Sequence, residues 1–378
     1  QNANALFEQV SPKESGVQFF NKVENTEDFN IFSYRNFYNG GGAAIGDVNN
    51  DGLSDIYLTS NMGDNKLFLN KGNFKFEDVS VRAGVAGTGF WSTGVVMVDI
   101  NADGLLDIYV CNAGYDKDKK PENELFINQG IQNGIPVFVE KAAEYGLNED
   151  GYTTHAAFFD YDLDGDLDCY ILNNSFMPVN TLNYSNNREM YAEDWPVRDF
   201  LKGGGDKLLR NDNGKFTNVT RTAGIYGSLI GFGLGITVGD VNGDLWPDLY
   251  VSNDFFERDY LYINQKDGTF KEEIEQWISH MSHASMGADM ADINNDGYPE
   301  IFTTEMLPGD ETRLKSTTLF ENYNIYQLKQ ERGFYHQYMQ NCLQLNNKDK
   351  TFSEIAFYSG VAATDWSWGA LMFDMDND

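Results

Sequence analysis

The stretch Asp99-Ile100-Asn101-Ala102-Asp103-Gly104-Leu105-Leu106-Asp107 places oxygen-bearing side chains at its first, third, fifth and ninth positions and a glycine at its sixth. That is a spacing for a hard cation. Calcium takes about six to eight oxygen ligands, and a tight loop with Asp or Asn at alternate positions aims those oxygens at one point. The pattern occurs six times. The candidate ligands are Asp47, Asn49, Asp51 and Asp55; Asp99, Asn101, Asp103 and Asp107; Asp160, Asp162, Asp164 and Asp168; Asp240, Asn242, Asp244 and Asp248; Asp292, Asn294, Asp296 and Glu300; and Asp374, Asp376 and Asp378.

The loop is shorter than that of an EF-hand, and a β-type run such as Ile108-Tyr109-Val110 follows it rather than a helix. The bland alternative is an Asx-rich turn without metal. Repetition at matching positions favours calcium, in a structural role and at several sites. Two loops depart from the pattern. Leu245 stands where the others have glycine, so the fourth site is expected to be weaker, and Glu300 replaces the closing Asp of the fifth.

The loops must be positioned by short strands. An apolar run precedes each loop and another follows it. Next comes a piece ending in Asn, as in Lys66–Asn70, Glu124–Asn128, Lys207–Asn211, Tyr260–Asn264 and Cys342–Asn346. A Phe-led tail closes the unit, as in Phe76-Glu77-Asp78 and Phe216-Thr217-Asn218. Asp47 to Asp99 and Asp240 to Asp292 are each 52 residues apart. Four short strands repeating at such a period predict an all-β fold, a β-propeller of four-stranded blades in a single domain spanning residues 1–378. Five full units and part of a sixth are present, so the domain is expected to be incomplete at its C-terminus, with exposed strand edges. Insertions at 115–122, 173–205 and 305–341 follow the second strand and should lie on the face opposite the calcium loops; residues 318–332 are predicted helical.

Five positions before each loop stands Gly42, Gly94, His155, Gly235, Gly287 or Gly369. In a propeller this is where first strands crowd one another near the axis. Trp91, Tyr152, Phe232 and Trp366 occupy one equivalent position just upstream. With His155 they are candidate ligand-binding residues, either a hydrophobic plug or a stacking platform for sugar rings beside an imidazole.

The formal charge of −31 argues against a nucleic-acid partner, because phosphate binding needs cations. Nineteen of the 58 acidic residues sit at loop positions, so the acidity is partly a metal signal. The three cysteines, Cys111, Cys169 and Cys342, have no disulfide or zinc spacing and read as buried thiols. No apolar run is long enough to span a membrane, which leaves lipid or complex anchoring open. Weak calcium loops fill at extracellular calcium levels, which points to an exported protein, extracellular or on a bacterial cell surface.

The segments Gly41-Gly42-Ala43-Ala44-Ile45-Gly46-Asp47, Trp91-Ser92-Thr93-Gly94, Ser285-Met286-Gly287 and Asp365-Trp366-Ser367-Trp368-Gly369 resemble those of FG-GAP or VCBS-type repeat proteins. The resemblance is to the bacterial branch related to cartilage acidic protein, which often carries an ASPIC/UnbV domain. It implies a calcium-loaded propeller, seven-bladed when intact, exported and often surface-attached. It leaves the biochemical role open.

No Ser–His–Asp order, phosphate-binding loop or thiol nucleophile can be assembled, so no catalytic residue is named. The reading is a binding module for a glycan or a protein through the insertion-bearing face. The alternatives are a lyase-like polysaccharide-degrading enzyme, with His155 or a loop tyrosine as base, and a scaffold subunit of a surface complex.

Overall fold

The computed structural model describes residues 7–87, 90–114, 121–174, 183, 187–318 and 321–375. They fall into two compact units, Gln1–Asp150 and Gly151–Asp378.

The first unit holds two four-stranded antiparallel sheets, each running in sequence order. One consists of β1 (Ala43–Gly46), β2 (Asp55–Leu58), β3 (Lys66–Asn70) and β4 (Phe76–Asp78). The other consists of β5 (Ser92–Val98), β6 (Asp107–Asn112), β7 (Glu124–Gln132) and β8 (Ile135–Glu140). Residues of both sheets share one core, in which Tyr57, Leu67 and Leu69 lie with Val95, Ile108, Val110 and Phe126. Every residue of β6 is buried, as expected for a strand covered on both faces.

The second unit repeats the plan three times. Its sheets are β9 (Thr153–Phe159), β10 (Asp168–Asn173), β11 (Lys207–Asn211) and β12 (Phe216–Asn218); β13 (Gly233–Gly239), β14 (Asp248–Asn253), β15 (Tyr260–Asn264) and β16 (Phe270–Glu272); and β18 (Ala288–Ala291), β19 (Glu300–Thr303), β21 (Cys342–Asn346) and β22 (Phe352–Glu354). A parallel pair, β17 (Met281–Ser282) with β20 (Gln337–Tyr338), ties the last insertion to the segment before the fifth sheet. Cores again draw on successive sheets: Tyr170 and Leu208 lie with Leu249, Val251, Tyr260 and Tyr262, and Tyr250, Leu261 and Trp277 with Ile301 and Phe352.

The four predicted strand types are all present, and the blade-like sheets carry the calcium-spaced loops between their first and second strands. The glycine rule holds where first strands meet. A Cβ on Gly42 would lie 2.7 Å from the Thr93 carbonyl oxygen, one on Gly235 2.7 Å from the Ala288 nitrogen, and one on Gly287 2.7 Å from the Trp368 carbonyl oxygen. A side chain at any of these would drive neighbouring strands apart.

The predicted helix over 318–332 is present as Tyr323–Glu331, and a second helix, Glu311–Thr317, precedes it. Thr318 is extended and ends the earlier helix; the Asn322 side chain accepts from the Asn324 N–H and starts the later one. Cys111, Cys169 and Cys342 are free and buried. Of the first insertion, residues 115–120 lie outside the described residues, as does much of the stretch 175–186.

Candidate metal-binding loops

Each of the first five loops turns on two residues with left-handed backbone, at its fourth and sixth positions. The fourth positions are Asn50, Ala102, Leu163, Gly243 and Asn295, and the sixth are Gly52, Gly104, Gly165, Leu245 and Gly297. This geometry points backbone N–H groups inward at the first carboxylate. Gly52 N–H donates to Asp47 Oδ2 at 2.6 Å, and Gly104, Gly165 and Gly297 do the same to Asp99, Asp160 and Asp292 at 2.8, 2.9 and 2.7 Å.

The fourth loop corrects one expectation. Leu245 does take the left-handed conformation, at φ 70°, and its N–H reaches Asp240 Oδ2 at 2.7 Å. The glycine has moved to position 243, where any Cβ would strike the Tyr298 ring at 2.8 Å. Each of these five loops thus holds one glycine and one non-glycine left-handed residue, so the conformational argument for a weak fourth site falls away.

The ninth-position carboxylate is turned into the sheet. Asp168 accepts from the Tyr161 N–H at 3.0 Å through Oδ2 and from the Asn211 N–H at 2.8 Å through Oδ1. Asp55 pairs in the same way with Val48 and Asn70, Asp107 with Ile100 and Asn128, and Asp248 with Val241 and Asn264. In the fifth loop the longer Glu300 accepts from the Ile293 N–H at 2.9 Å and also from the Asn294 amide at 3.0 Å, which engages the third-position side chain. These carboxylates resist ionisation in the metal-free protein. Burial raises the pKa of Asp107 to about 6 and those of Asp168 and Asp248 to about 7, with smaller repulsion from the other loop carboxylates.

Asp160, Asp162 and Asp168 each place one carboxylate oxygen within 4.8 Å of the others, a trio able to hold an ion. Asp162 Oδ1 and Asn242 Oδ1, at the third positions of adjacent loops, are buried and have no hydrogen-bond partner. A buried oxygen with nothing to accept is costly, and a cation satisfies it. The donors are all oxygens, as calcium prefers, and Asp160 and Asp168 retain lone pairs beyond those engaged by N–H groups. The residues fit the ion. Of the sixth loop's candidate ligands only Asp374 is described; Asp376 and Asp378 lie outside the described residues.

Sequence reasoning found the Asn that ends each third strand but gave it no task. In the structure three of these side chains join neighbouring sheets: Asn128 Nδ2 donates to the Val48 carbonyl at 2.9 Å, Asn264 Nδ2 to the Tyr161 carbonyl at 2.8 Å and Asn346 Nδ2 to the Val241 carbonyl at 2.8 Å.

The upstream aromatics are distributed over both units. Trp91, in the first, is buried against Phe29, Phe37 and Tyr34 at centroid separations of 4.8, 5.1 and 5.7 Å. Tyr152 and Phe232, in the second, are also buried, Tyr152 donating to the Phe200 carbonyl at 2.5 Å and Phe232 packing on Phe255 at 4.9 Å. Trp366 is 60% exposed. His155 sits opposite Leu172 in the β9–β10 register; its Nδ1 is enclosed without a partner, and burial lowers its pKa.

A family profile described as FG-GAP-like repeat matches residues 47–110 and 240–303. This chain carries FG-GAP-like repeats. Each match starts at the first Asp of a loop and runs through the next, so the first, second, fourth and fifth loops lie inside these FG-GAP segments. Partial homology extends to cartilage acidic protein 1: 40% identity over 78 residues with the Xenopus tropicalis protein, and 37% over 76 residues with that of Homo sapiens. Each alignment covers 20% of this chain and 12% of the relative. Among solved structures, the biofilm matrix protein Bap1 of V. cholerae aligns at a TM-score of 0.37 and 12% identity, over 83% of this chain and 38% of that one. So loose a likeness carries no argument about function. Among the described residues, no helix is long and apolar enough to cross a membrane.

Proposed function

We propose that this FG-GAP-repeat chain belongs to a calcium-stabilised β-propeller, displayed outside the cell, that binds a glycan or a protein without transforming it. The observation that carries the metal part is the loop itself: carboxylates oriented by inward N–H groups, with Asp162 Oδ1 and Asn242 Oδ1 buried and unpartnered. Bound calcium would screen the repulsion among Asp160, Asp162 and Asp168 and lock the turn between first and second strands. Asp47, Asp99, Asp240 and Asp292 would anchor it in the other loops.

The binding part rests on the insertions, which are long loops gathered on a rigid scaffold. The second and last meet where Arg188, held by an ion pair to the loop between β14 and β15, packs on the Phe334 ring. Arg188 Nε lies 2.7 Å from the enclosed Glu257 carboxylate, and its guanidinium sits 5.2 Å from the centre of the Phe334 ring. Insertions tied together in this way present a fixed surface rather than independent loops. In the enzyme reading His155 is the less favoured base, because its Nδ1 is enclosed, and a loop tyrosine is the other candidate.

Incubation of the calcium-loaded protein with neutral and acidic polysaccharides, followed by size-exclusion chromatography, tests the proposal. Co-elution with polymer of unchanged size supports it, shortened polymer replaces it with a lyase-like enzyme, and no effect directs the search to protein partners.

A further inference from the structure

The last insertion builds a row of rings on the surface. The helix Tyr323–Glu331 carries Tyr323 and Tyr326 on one face, three residues apart, with ring centroids 6.4 Å apart and planes 23° from parallel. The Tyr338 ring follows 6.2 Å from that of Tyr326 and 18° from parallel, and the His280 ring lies 5.0 Å from that of Tyr338, turned edge-on at 64°. Tyr323 is 68% exposed and Tyr338 42%. Large rings left in water at successive, nearly parallel positions are a surface for recognition rather than for packing.

The row is held in place. Tyr338 lies in the parallel pair β17–β20, opposite Ser282. Tyr326 Oη is 2.8 Å from His336 Nδ1 and 3.2 Å from Tyr338 Oη, so helix and strand are joined through their polar edges. Beneath the helix Lys329 is buried, paired with Glu321 and set over the Phe256 ring. Rings fixed on rigid elements lose little entropy when a ligand stacks on them.

Charge narrows the ligand. Glu354 lies 3.7 Å from His280 Nε2, Glu321 towards Tyr326 is paired with Lys329, and the chain as a whole carries a formal charge of −31. A polyanion would be repelled, whereas a neutral sugar offers an apolar ring face to tyrosine and hydroxyls to phenol and imidazole.

We propose that Tyr323, Tyr326, Tyr338 and His280 form the contact platform for a neutral polysaccharide, successive pyranose rings lying on successive aromatic rings. This rests on the glycan-binding reading above and identifies both the site and the class of glycan. The test is affinity electrophoresis of the calcium-loaded full chain in gels containing hydroxyethylcellulose or laminarin, with alginate as the anionic comparison. Unsubstituted protein should be retarded by a neutral polymer. Tyr323→Ala and Tyr338→Ala should each lose about tenfold or more in affinity, while Tyr323→Phe, which keeps the ring, and Tyr358→Ala, elsewhere on the surface, should bind as the parent does. Thermal melts identify any variant that fails to fold, and the Ala–Phe contrast at exposed position 323 then decides. Retardation that survives Tyr323→Ala overturns the platform and leaves the binding module standing. Retardation by alginate alone overturns the neutral occupant, and retardation by no polymer overturns both readings.

Discussion

Asn264 Nδ2 donates to the carbonyl of Tyr161 at 2.8 Å, while the backbone N–H of Asn264 donates to Asp248 Oδ1 at 2.8 Å. Because the Tyr161 N–H donates to Asp168 Oδ2 at 3.0 Å, the closing carboxylates of the third and fourth loops are joined through two residues. The link continues to the fifth sheet through Asn346 and Val241, the latter bonded to Asp248.

Replacing Asn264 by Ala removes its side-chain bonds to the Tyr161 carbonyl and from the Lys266 N–H and leaves buried polar groups unpaired. The expected loss is about 2–3 kcal/mol, read from denaturant unfolding. Calcium titration by calorimetry should also show the third and fourth sites filling more independently than in the parent. Unchanged stability would mean that the Asn staples are incidental.

Chelation gives the broadest test of the metal assignment. Moving the protein from millimolar calcium to excess EDTA should lower Tm; a ligand at about one hundred times its Kd stabilises by about 2.7 kcal/mol per site. Asp162→Ala should reduce that calcium-dependent shift. A melt indifferent to EDTA would leave the loops as hydrogen-bonded turns.

Leu245→Gly should stabilise by about 1 kcal/mol, because Leu245 is 83% exposed and pays a left-handed backbone penalty that glycine avoids. Calcium occupancy of the fourth loop should follow the others rather than lag behind them. A destabilised variant would show that Leu245 makes contacts its exposure does not suggest.

The strands and loops were legible because both are written in short-range patterns: apolar alternation, a Phe-led tail, and oxygens at alternate loop positions. The left-handed Leu245 is not legible in this way, because a glycine rule applied to one loop hides the compensating Gly243, whose need arises from Tyr298 in the next loop. The Asn staples and the Tyr323–Tyr326–Tyr338 row were out of reach for a related reason. Asn264 and Tyr161 are 103 residues apart, and Tyr338 meets the helix only because β20 pairs outside the regular repeat. Repetition reports what every unit shares, whereas an insertion has no second copy against which it can be read.

A buried polar position before the third strand yields the last prediction. In three units it is an Asn, and Asn65, Asn123 and Asn341 accept backbone N–H groups at 2.9, 2.7 and 2.7 Å. In the other two it is Asp206 or Asp259, buried and bonded to Tyr170 or Tyr250, and burial raises each pKa to about 7. Each is thus raised above its unfolded value of 3.8. The folded state therefore holds protons that the unfolded chain has released, and stability is full below the unfolded pKa and falls as pH rises towards 7. Above pH 7 both carboxylates are ionised in the folded state, and their cost to stability is at its largest. Asp206→Asn and Asp259→Asn, which copy the side chain used in the other units, should raise Tm at pH 8 and change it little at pH 4. Equal shifts at both pH values would assign the effect to packing rather than to the buried charge.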